Sequence, residues 1–488
     1  MVYNSPSRMS AHSSTGNGQS ARSTLLHRWA VVLLVPAALM LIQVPAGVTV
    51  PGWRLFAIFV GTILGLILQP LPLGAMALIG VSAASMSGAL PPGQALSGYA
   101  EPLVWMVLAA FCISRGMIKT GLGRRIALWF IRAIGHSSIG LGYSVVASDM
   151  LLGMVVPSNG ARVGGILFPI VKSLAEAYES TPGPTAGRLG AFLMLMVYHC
   201  DMTVSAMFFT GNAANPLIVS LAKQVTGIEL SYTRWAIGAF VPALASMAVV
   251  PMVLWRARAP SVRRTPAAAA FASAELSRLG PPTSHERVML AVFGVTTLLY
   301  VTKAWHGIDY PVTALAGLGA LLLTRVLTWD DVLAERSAWD TFVWYGAIYA
   351  MARALNEAGL SGVFAQSMAG ATFGRSWWLV VPALLAIYLY AHYAFATITA
   401  HVSALFGPFA IVMLAAGTPP ILTVLTMAYV SSLGASLTHY GTTSSPIYYG
   451  AGYLSQGAWW RLGFLVATVN AVVWVACGLA WWKVLGWW

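Results

Sequence analysis

Long apolar segments recur along most of this chain, and they constrain its fold more than any other feature. Runs of about 17–25 residues with few charges match the length of a helix that crosses a bilayer. An outer-membrane barrel would show ~10-residue stretches of alternating polarity instead. Only 8% of the 488 residues are charged, against about 25% in soluble domains. The sequence therefore predicts an all-α polytopic membrane protein.

Neither the N-terminus nor the cysteines carry a processing or metal-binding pattern. The first 27 residues are polar, Ser-rich and free of acids, and they lack a cleavage site after a short apolar core. We therefore expect a disordered cytoplasmic tail over residues 1–28. Cys112, Cys200 and Cys477 lie in separate apolar contexts without metal-ligand or disulfide spacing, so their expected role is core packing. We expect no metal and no cofactor.

The positive charge is concentrated in two segments. A net charge of +13 does not by itself indicate nucleic acid, because Lys and Arg gather in the cytoplasmic loops of membrane proteins. With the N-terminus inside, segments 119–135 and 256–287 both fall on the cytoplasmic side. The first is expected to form an amphipathic surface helix and the second a basic linker. Arg162 and Arg353 are left within membrane segments, and we expect the bilayer, not nucleic acid, to surround the chain.

The linker 256–287 separates two halves that carry the same motifs in the same order. "GHSS" at 135 and "GRSW" at 374 each precede a polar triplet by the same interval, and "FTGNAANP" matches "HYGTTSSP" further on. The matched positions are Ser137 and Ser376, Ser158 and Thr397, Gly211 and Gly441, and Pro216 and Pro446. Counting the predicted spans indicates that equivalent helices of the two halves cross the membrane in opposite directions. This inverted-topology repeat is typical of secondary transporters.

The repeat divides the chain into four expected regions. Residues 1–28 form the tail, and 29–255 form the first repeat with a re-entrant hairpin over 137–171 on the inner side. The basic cytoplasmic linker follows at 256–287. Residues 288–488 form the second repeat, with an outer-side hairpin over 376–412.

Each half supplies two polar islands within apolar sequence, a hairpin tip and a helix broken by Gly and Pro. Non-helical backbone at membrane depth persists only where it is buried in protein or lines a cavity. Helices starting at such breaks aim N–H groups at one point, which suits an anion. The ordinary alternative is a hydroxyl bonded to the preceding helical turn and a glycine used for close packing. The candidate substrate-binding residues are Ser158, Asn159, Gly160, Gly211, Asn212, Asn215, Thr397, Thr399, Gly441, Thr442, Thr443 and Pro446.

Two further side chains lie just behind the tips. Arg162 and His401 each follow the first residue of their tip by four positions. An arginine at mid-membrane costs on the order of 2.5–3.5 kcal/mol, so it needs a partner or a task. Arg162 either supports anion binding or forms a buried pair with Asp149 or Asp201. His401 is either a charged group behind the site or a neutral core histidine. Three other histidines lie close to the islands in sequence, and their roles stay open: His199, His392 and His439.

With these residues in view, the chain resembles the divalent anion:sodium symporter (DASS) family. It is most similar to the branch of citrate/succinate and tartrate/succinate antiporters and the plastid 2-oxoglutarate/malate translocator. The similarity rests on "PSNGARVGGILFPIV", "FATITAHVSALFGPF" and "SLTHYGTTSSPIYYGAGYLSQGAWWRLGF" and covers nearly the whole chain after about residue 30. It implies a homodimer whose protomers have about 11 transmembrane segments, two re-entrant hairpins, and separate scaffold and transport domains.

The chain departs from the family at both tips. The family's first tip reads Ser-Asn-Thr, whereas Gly160 stands here in place of the Thr. The second tip is Thr397-Ile398-Thr399, without the Asn of sodium-coupled members. In the exchanger branch, an Arg and a His that resemble Arg162 and His401 replace the sodium ions. Fixed positive charge near an anion site removes the need for a mobile cation and hinders the return of the empty carrier, so exchange follows.

Together these features predict a sodium-independent antiporter in the cell inner membrane. It would exchange di- or tricarboxylates (C4-dicarboxylates, 2-oxoglutarate, citrate or tartrate) by alternating access. The near alternative is a sodium- or proton-coupled dicarboxylate symporter. An enzyme is disfavoured because no paired acids, metal cluster or nucleophile–base set accompanies the islands. A channel is disfavoured because the polar groups are concentrated at one depth.

Overall fold

The helices of the protein follow the apolar segments of its sequence. The computed structural model describes residues 15–360, 362–364, 366–367 and 376–488. Within these ranges the chain is built of helices and contains no β-strand. The predicted all-α fold is therefore confirmed.

The first half, up to the basic linker, contains ten α-helices among its described residues. They are α1 Thr15–Met40, α2 Val50–Leu68, α3 Leu73–Met86, α4 Pro102–Thr120, α5 Leu122–Ile134, α6 Ser138–Gly153, α7 Phe168–Ala177, α8 Gly190–Met207, α9 Ala214–Thr226 and α10 Tyr232–Ala257. A π-helical segment, Gly160–Leu167, leads directly into α7. Short helical turns at Pro92–Ala95 and Ser97–Ala100 precede α4.

The linker and the second half contribute the remaining helices. The main ones are α11 Pro266–Leu279, α12 Ser284–Val301, α13 Tyr310–Leu323, α14 Arg336–Glu357, α15 Trp377–Ala391, α16 Ile398–Ala415, α17 Pro420–Leu433, α18 Ser445–Gly450 and α19 Gln456–Val484, and short helices at Lys303–His306 and Trp329–Ala334 lie between them. Among the described helices, eight are long and apolar enough to cross a membrane, and four apolar stretches of 10–17 residues add to them. The protein is thus a multi-pass membrane protein.

Two broken helices occupy the centre of the molecule. All residues of α8 are buried, and so are the residues of α17 after Pro420, so the bodies of both helices are shielded from lipid. Each is followed by irregular backbone, 208–213 and 438–444, before α9 or α18 begins. The Tyr198 hydroxyl ties α8 to the second break, because it donates to the Ala435 carbonyl at 2.7 Å and lies 2.7 Å from Ser445 Oγ.

The two expected hairpins are present as helix pairs. α6 and the Gly160–Ala177 helix flank the tip at 158–160, while α15 and α16 flank the tip at 397–399. Ser137, the first residue of the expected inner hairpin, caps α6 by accepting the Gly140 N–H at 3.1 Å. The second helices of the two pairs end at Ala177 and Ala415, and the re-entrant hairpins over 137–171 and 376–412 stay a prediction.

Three details differ from the sequence-based expectations. Residues 1–14 lie outside the described residues, but from Thr15 the chain is already helical and is not an irregular tail to 28. The linker contains α11, which packs on the amphipathic α5, because its Ala-rich stretch favours helix. Arg353 keeps 57% of its side chain exposed and pairs with Glu357 one turn later, so it is not a buried membrane charge.

Ion pairs join the amphipathic helix α5 and its neighbours to the second half. Arg125 makes a two-pronged, buried contact with Glu286, with Nε–Oε1 at 2.7 Å and Nη2–Oε2 at 3.1 Å. Nearby, Lys119 donates to Asp331. Burial raises the pKa of Asp331, but hydrogen bonds from Lys119 and Thr328 outweigh it and hold that pKa at about 2.

Removing the Arg125 side chain should destabilise the protein strongly. The Arg125→Ala variant leaves the Glu286 carboxylate buried without a counter-charge, which costs about 3 kcal/mol or more. Thermal unfolding of the purified protein in detergent measures this loss. The matched control is Arg278→Ala, since Arg278 is 80% exposed in its pair with Glu275 and should change stability by less than about 1 kcal/mol. Equal melting temperatures for both variants would contradict this role of Arg125.

Candidate functional site

The four polar islands meet in one cavity. Its volume is ≈ 180 Å³, room for roughly six waters of liquid, which is the scale of a small organic acid. Both hairpin tips and both helix breaks contribute to its wall. The lining residues are Leu73, Phe111, Pro157, Ser158, Asn159, Asn212, Ala213, Ser337, Asp340, Thr341, Trp344, Thr397, Ile398, Thr399, Thr442 and Thr443. The cavity thus brings the two tips together, and its role as a substrate site stays a prediction.

The two tips have the same local structure. Ser158 Oγ accepts the Ala161 N–H at 3.2 Å, and Thr397 Oγ1 accepts the Ala400 N–H at 3.1 Å. Each side chain therefore caps the second helix of its hairpin, in the manner of an N-cap residue. Both helices begin at the cavity, so their positive ends suit an anion there.

Gly160 faces Thr443 across the boundary between the two halves. The Gly160 N–H donates to Thr443 Oγ1 at 3.1 Å. A Cβ atom at position 160 would lie 3.1 Å from that oxygen and 3.3 Å from the Thr443 Cβ. The Thr443 side chain thus occupies the space that a side chain at position 160 would need. A side chain at position 160 would therefore need the exposed Thr443 to shift by a few tenths of an ångström.

Asn212 connects the first helix break to the second half. Its amide nitrogen donates to Ser432 Oγ at 2.9 Å and to Asn215 Oδ1 at 3.0 Å, and its carbonyl oxygen accepts the Ala214 N–H at 2.8 Å. Asn212 therefore lines the cavity and also fixes the geometry of the break.

Several candidate residues lie behind the lining and shape it. Asn215 donates to the carbonyls of Ser205 and Phe208 at 2.8 Å each, which satisfies the end of α8. A Cβ atom on Gly211 or Gly441 would come within 2.6 Å or 2.5 Å of a backbone oxygen, so only glycine fits at either position. Pro446 lies in the first turn of α18, where its missing N–H costs nothing.

Asn159 lines the cavity but directs its amide donors away from it. Its Nδ2 donates to Asp201 Oδ2 at 2.8 Å and to Ser205 Oγ at 2.5 Å. An amide nitrogen already engaged with a carboxylate is not free to hold a substrate carboxylate. We expected Asn159 to donate to the substrate, but in the structure its amide group links the tip to α8.

Arg162 is fully buried and does not line the cavity. Its Nε contacts Asp149 Oδ1 at 2.8 Å, and its Nη2 contacts Asp201 Oδ1 at 2.7 Å. Its Nη1 donates to the carbonyls of Val156 and Gly211 at 2.8 and 2.5 Å. The guanidinium thus takes the alternative role anticipated for it, a buried ion pair, and here with both acids. Its charge is neutralised within the protein and is not directed at the cavity.

His401 and His392 form the corresponding pair in the second half. His401 Nε2 lies 2.9 Å from the Tyr388 carbonyl, and His392 Nε2 lies 2.9 Å from the Gly441 carbonyl. A carbonyl oxygen only accepts, so each Nε2 carries the proton. The rings are 5.0 Å apart. Both are buried behind the tip, so His401 does not contact the cavity directly, and His392 was not singled out from the sequence.

The contacts of the two halves obey the repeat. Asp149 and Tyr388, the partners of Arg162 and His401, each precede the first residue of their tip by nine positions. The carbonyls of the matched residues Gly211 and Gly441 each accept a side-chain N–H, from Arg162 and His392 respectively. The similarity of the halves therefore extends to the hydrogen bonds behind both tips.

Helix α14 supplies cavity residues that the polar islands did not indicate. Ser337, Asp340, Thr341 and Trp344 line one side of the cavity, and Asp340 Oδ1 also accepts the Gly74 N–H at 3.0 Å. Their spacing of three or four residues places them on one helix face. The spacing of these residues could have indicated a helix face that lines the site, but the other polar residues in this part of the sequence made the pattern hard to recognise.

Comparisons with known proteins agree with this architecture. A family model described as the sodium:sulfate symporter transmembrane region matches residues 23–488. The chain is 44% identical over 453 residues to dicarboxylate transporter 1, chloroplastic, of Arabidopsis thaliana, covering 92% of this chain and 81% of that protein. It is 34% identical over 486 residues to the L-tartrate/succinate antiporter of Shigella sonnei, covering 95% and 99%. The crystal structure of the YdaH transporter of Alcanivorax borkumensis superposes with a TM-score of 0.52 at 14% identity, covering 96% and 98% of the two chains, and shows the fold alone.

Proposed function

We propose that this chain exchanges one di- or tricarboxylate for another across a membrane. It belongs to the sodium:sulfate symporter family, which is the divalent anion:sodium symporter (DASS) family that its motifs resemble. Members of this family and the relatives named above are transporters, not enzymes. C4-dicarboxylates, 2-oxoglutarate, tartrate and citrate are the proposed substrates. The chloroplast and Shigella relatives, named for dicarboxylate and for tartrate and succinate, support this class.

The observation that carries the proposal is a single cavity with a capped helix start from each half. Ser158 and Thr397 place the positive ends of two helices on it, and the Thr399, Thr442 and Thr443 side chains add hydroxyl groups. One carboxylate of the substrate would accept hydrogen bonds from the first tip and the other from the second. A dicarboxylate is the smallest molecule that satisfies both ends at once.

The contacts behind the tips support exchange without sodium. A sodium ion needs several free oxygen ligands, but the carbonyls of Gly211 and Gly441 already accept N–H groups from Arg162 and His392. These side chains are part of the chain and cannot dissociate with the substrate. The empty carrier would then present its helix ends and hydroxyls without an anion, which disfavours its return. The alternative is a sodium- or proton-coupled symporter.

The remaining parts of the proposal concern the setting of the protein. We place it in the cell inner membrane as a homodimer, with the tip 158–160 entering from the cytoplasmic side and the tip 397–399 from outside. The regions 29–255 and 288–488 then act as inverted repeats joined by the basic linker 256–287. Alternating access would expose the cavity to each side in turn.

Loss of a hydroxyl at either tip should weaken substrate binding. Ser158→Ala and Thr399→Ala each remove a hydrogen bond to a carboxylate, worth about 1.5–3 kcal/mol, so the KM for succinate should rise roughly tenfold or more. Counterflow of labelled succinate in proteoliposomes measures this, with Ser173→Ala, on the exposed side of α7, as the matched control. Butyrate should compete far less than dicarboxylates, because it lacks the second carboxylate.

Three results would contradict this site. They are an unchanged KM in both tip variants, equal competition by butyrate and succinate, and a comparable rise in KM for Ser173→Ala. The double variant adds a further condition. If the tips hold different carboxylates, the two losses of binding free energy should add within about 0.5 kcal/mol.

A further inference from the structure

A cluster of charged groups lies sealed behind the first tip, outside the cavity. It consists of Asp149 on α6, Arg162 on the π-helical segment and Asp201 on α8. The side chains of Arg162 and Asp201 are 0% exposed and that of Asp149 is 2% exposed. Water therefore does not screen these charges, and their sum must be balanced within the protein.

The charges of the cluster do not balance if both acids are ionised. One guanidinium faces two carboxylates, which leaves one negative charge in a dry interior. A buried, uncompensated charge is costly, and a carboxyl group in this position takes up a proton instead. The groups packed around the two acids supply no second cation: Cys200 is next to Asp201, and the phenols of Tyr198 and Tyr448 lie nearby. Thiols and phenols are neutral near neutral pH.

The two acids differ in how well their charge is supported. Asp201 receives Arg162 and Ser205 on Oδ1, at 2.7 and 3.4 Å, and Asn159 and Ser444 on Oδ2, at 2.8 and 3.5 Å. Asp149 receives only the Arg162 Nε, on Oδ1. Its other oxygen, Oδ2, is buried and has no hydrogen-bond partner among the residues that the structure describes. The donors around Asp201 therefore stabilise its ionised form, whereas Asp149 has fewer donors to stabilise a negative charge.

We propose that Asp149 binds a proton on Oδ2, so that the cluster is one neutral acid beside one Arg162–Asp201 ion pair. The O–H bond forms with a proton from bulk water as the chain folds. A proton fits better than a metal cation because the remaining cluster oxygens already accept hydrogen bonds. A sodium or divalent ion would need several free oxygen ligands, whereas Oδ2 of Asp149 offers one.

The proton-binding site is linked to the cavity through Asn159. That side chain joins Asp201 to the tip, and Ser444 joins Asp201 to the second helix break. Deprotonation would add a negative charge behind an anion site, so it should weaken the binding of a dicarboxylate. This consequence rests on the proposed function, whereas the protonation of Asp149 itself does not.

Replacing each acid in turn by its amide tests which of the two, Asp149 or Asp201, carries the proton. Asp149→Asn keeps an oxygen for Arg162 Nε and puts an NH2 group where the proton would be, so it should fold and transport at pH 6.5 like the wild type. Asp201→Asn should be impaired, because both oxygens of Asp201 face donors and an NH2 group must oppose one of them. Each variant replaces one aspartate by its isosteric amide, so each is the matched control of the other, and under the proposal only Asp201→Asn removes a charge.

Two measurements on purified protein in detergent test the site without any transport. Infrared spectra of the wild type should contain the band of a protonated carboxylic acid, and that band should be lost in Asp149→Asn. Because the buried acid would ionise on unfolding, the folded state holds one extra proton above the pKa of an exposed aspartate, about 3.9. The stability of the protein should therefore fall by up to about tenfold in the folding equilibrium constant per pH unit as the pH rises from about 4, and this fall should end where the folded protein itself releases the proton. Asp149→Asn should flatten this fall.

The outcomes that overturn the proposal are distinct from failure of the exchange function. An Asp149→Asn protein that does not fold, a tolerated Asp201→Asn, or no acid band that depends on Asp149 would each refute it. A gain in thermal stability with sodium that Asp149→Asn abolishes would assign a cation to Oδ2 instead. In transport, the succinate affinity of the wild type should fall relative to that of Asp149→Asn as the pH is raised, since both proteins meet the same ionic forms of the substrate.

Discussion

Arg162→Ala should abolish transport and destabilise the protein by about 3–5 kcal/mol, the cost of breaking a buried ion pair by removing one partner. The variant leaves Asp201 buried without its counter-charge and frees the carbonyls of Val156 and Gly211. Arg162→Lys should recover only part of the loss, because one ammonium cannot reach all the acceptors that the guanidinium fork contacts. Thermal unfolding and labelled-succinate exchange measure the two effects.

A compensating variant distinguishes this structural role from direct contact with substrate. Adding Asp201→Asn to Arg162→Ala removes the uncompensated charge and should raise the melting temperature above that of Arg162→Ala alone. If Arg162 instead contacted the substrate, Arg162→Ala would lose substrate affinity at an unchanged melting temperature. That pattern would refute the assignment of Arg162 to the cluster.

The location of the site was predictable because polar residues in apolar sequence are costly and therefore meaningful. The tips at Ser158 and Thr397, together with the broken helices, were expected to converge, and all four islands line the cavity. The all-α, multi-pass fold followed from the length of the apolar runs. The repeat added the pairing of the tips, since equivalent positions of two similar halves meet near their common axis.

The orientation of individual side chains could not be predicted from position in the sequence. Asn159 lies on the tip as expected, yet its amide serves Asp201, which is 42 residues away along the chain. Which group a donor meets depends on how helices pack, and periodicity does not report that. The same limit applies to Asp340, whose helix face becomes part of the cavity only through its packing against the tips.

Uptake should depend on a counter-anion and not on sodium. Without an internal carboxylate the carrier must return empty, with two helix starts and several hydroxyls facing a cavity that lacks its anion. Even a modest penalty of about 1.4 kcal/mol on that step slows it tenfold. Internal dicarboxylate should therefore stimulate the initial uptake of labelled succinate by at least about tenfold. Replacing external sodium with choline should leave the stimulated rate unchanged, because N–H donors occupy the Gly211 and Gly441 carbonyls.

The most direct test is therefore labelled-succinate uptake into proteoliposomes prepared with and without internal succinate, each in sodium and in choline buffer. Vesicles prepared without protein provide the background rate. The exchange account predicts rapid uptake only with internal succinate, at equal rates in the two buffers. Sodium-driven accumulation in vesicles that lack internal carboxylate would contradict it and would identify the protein as a symporter.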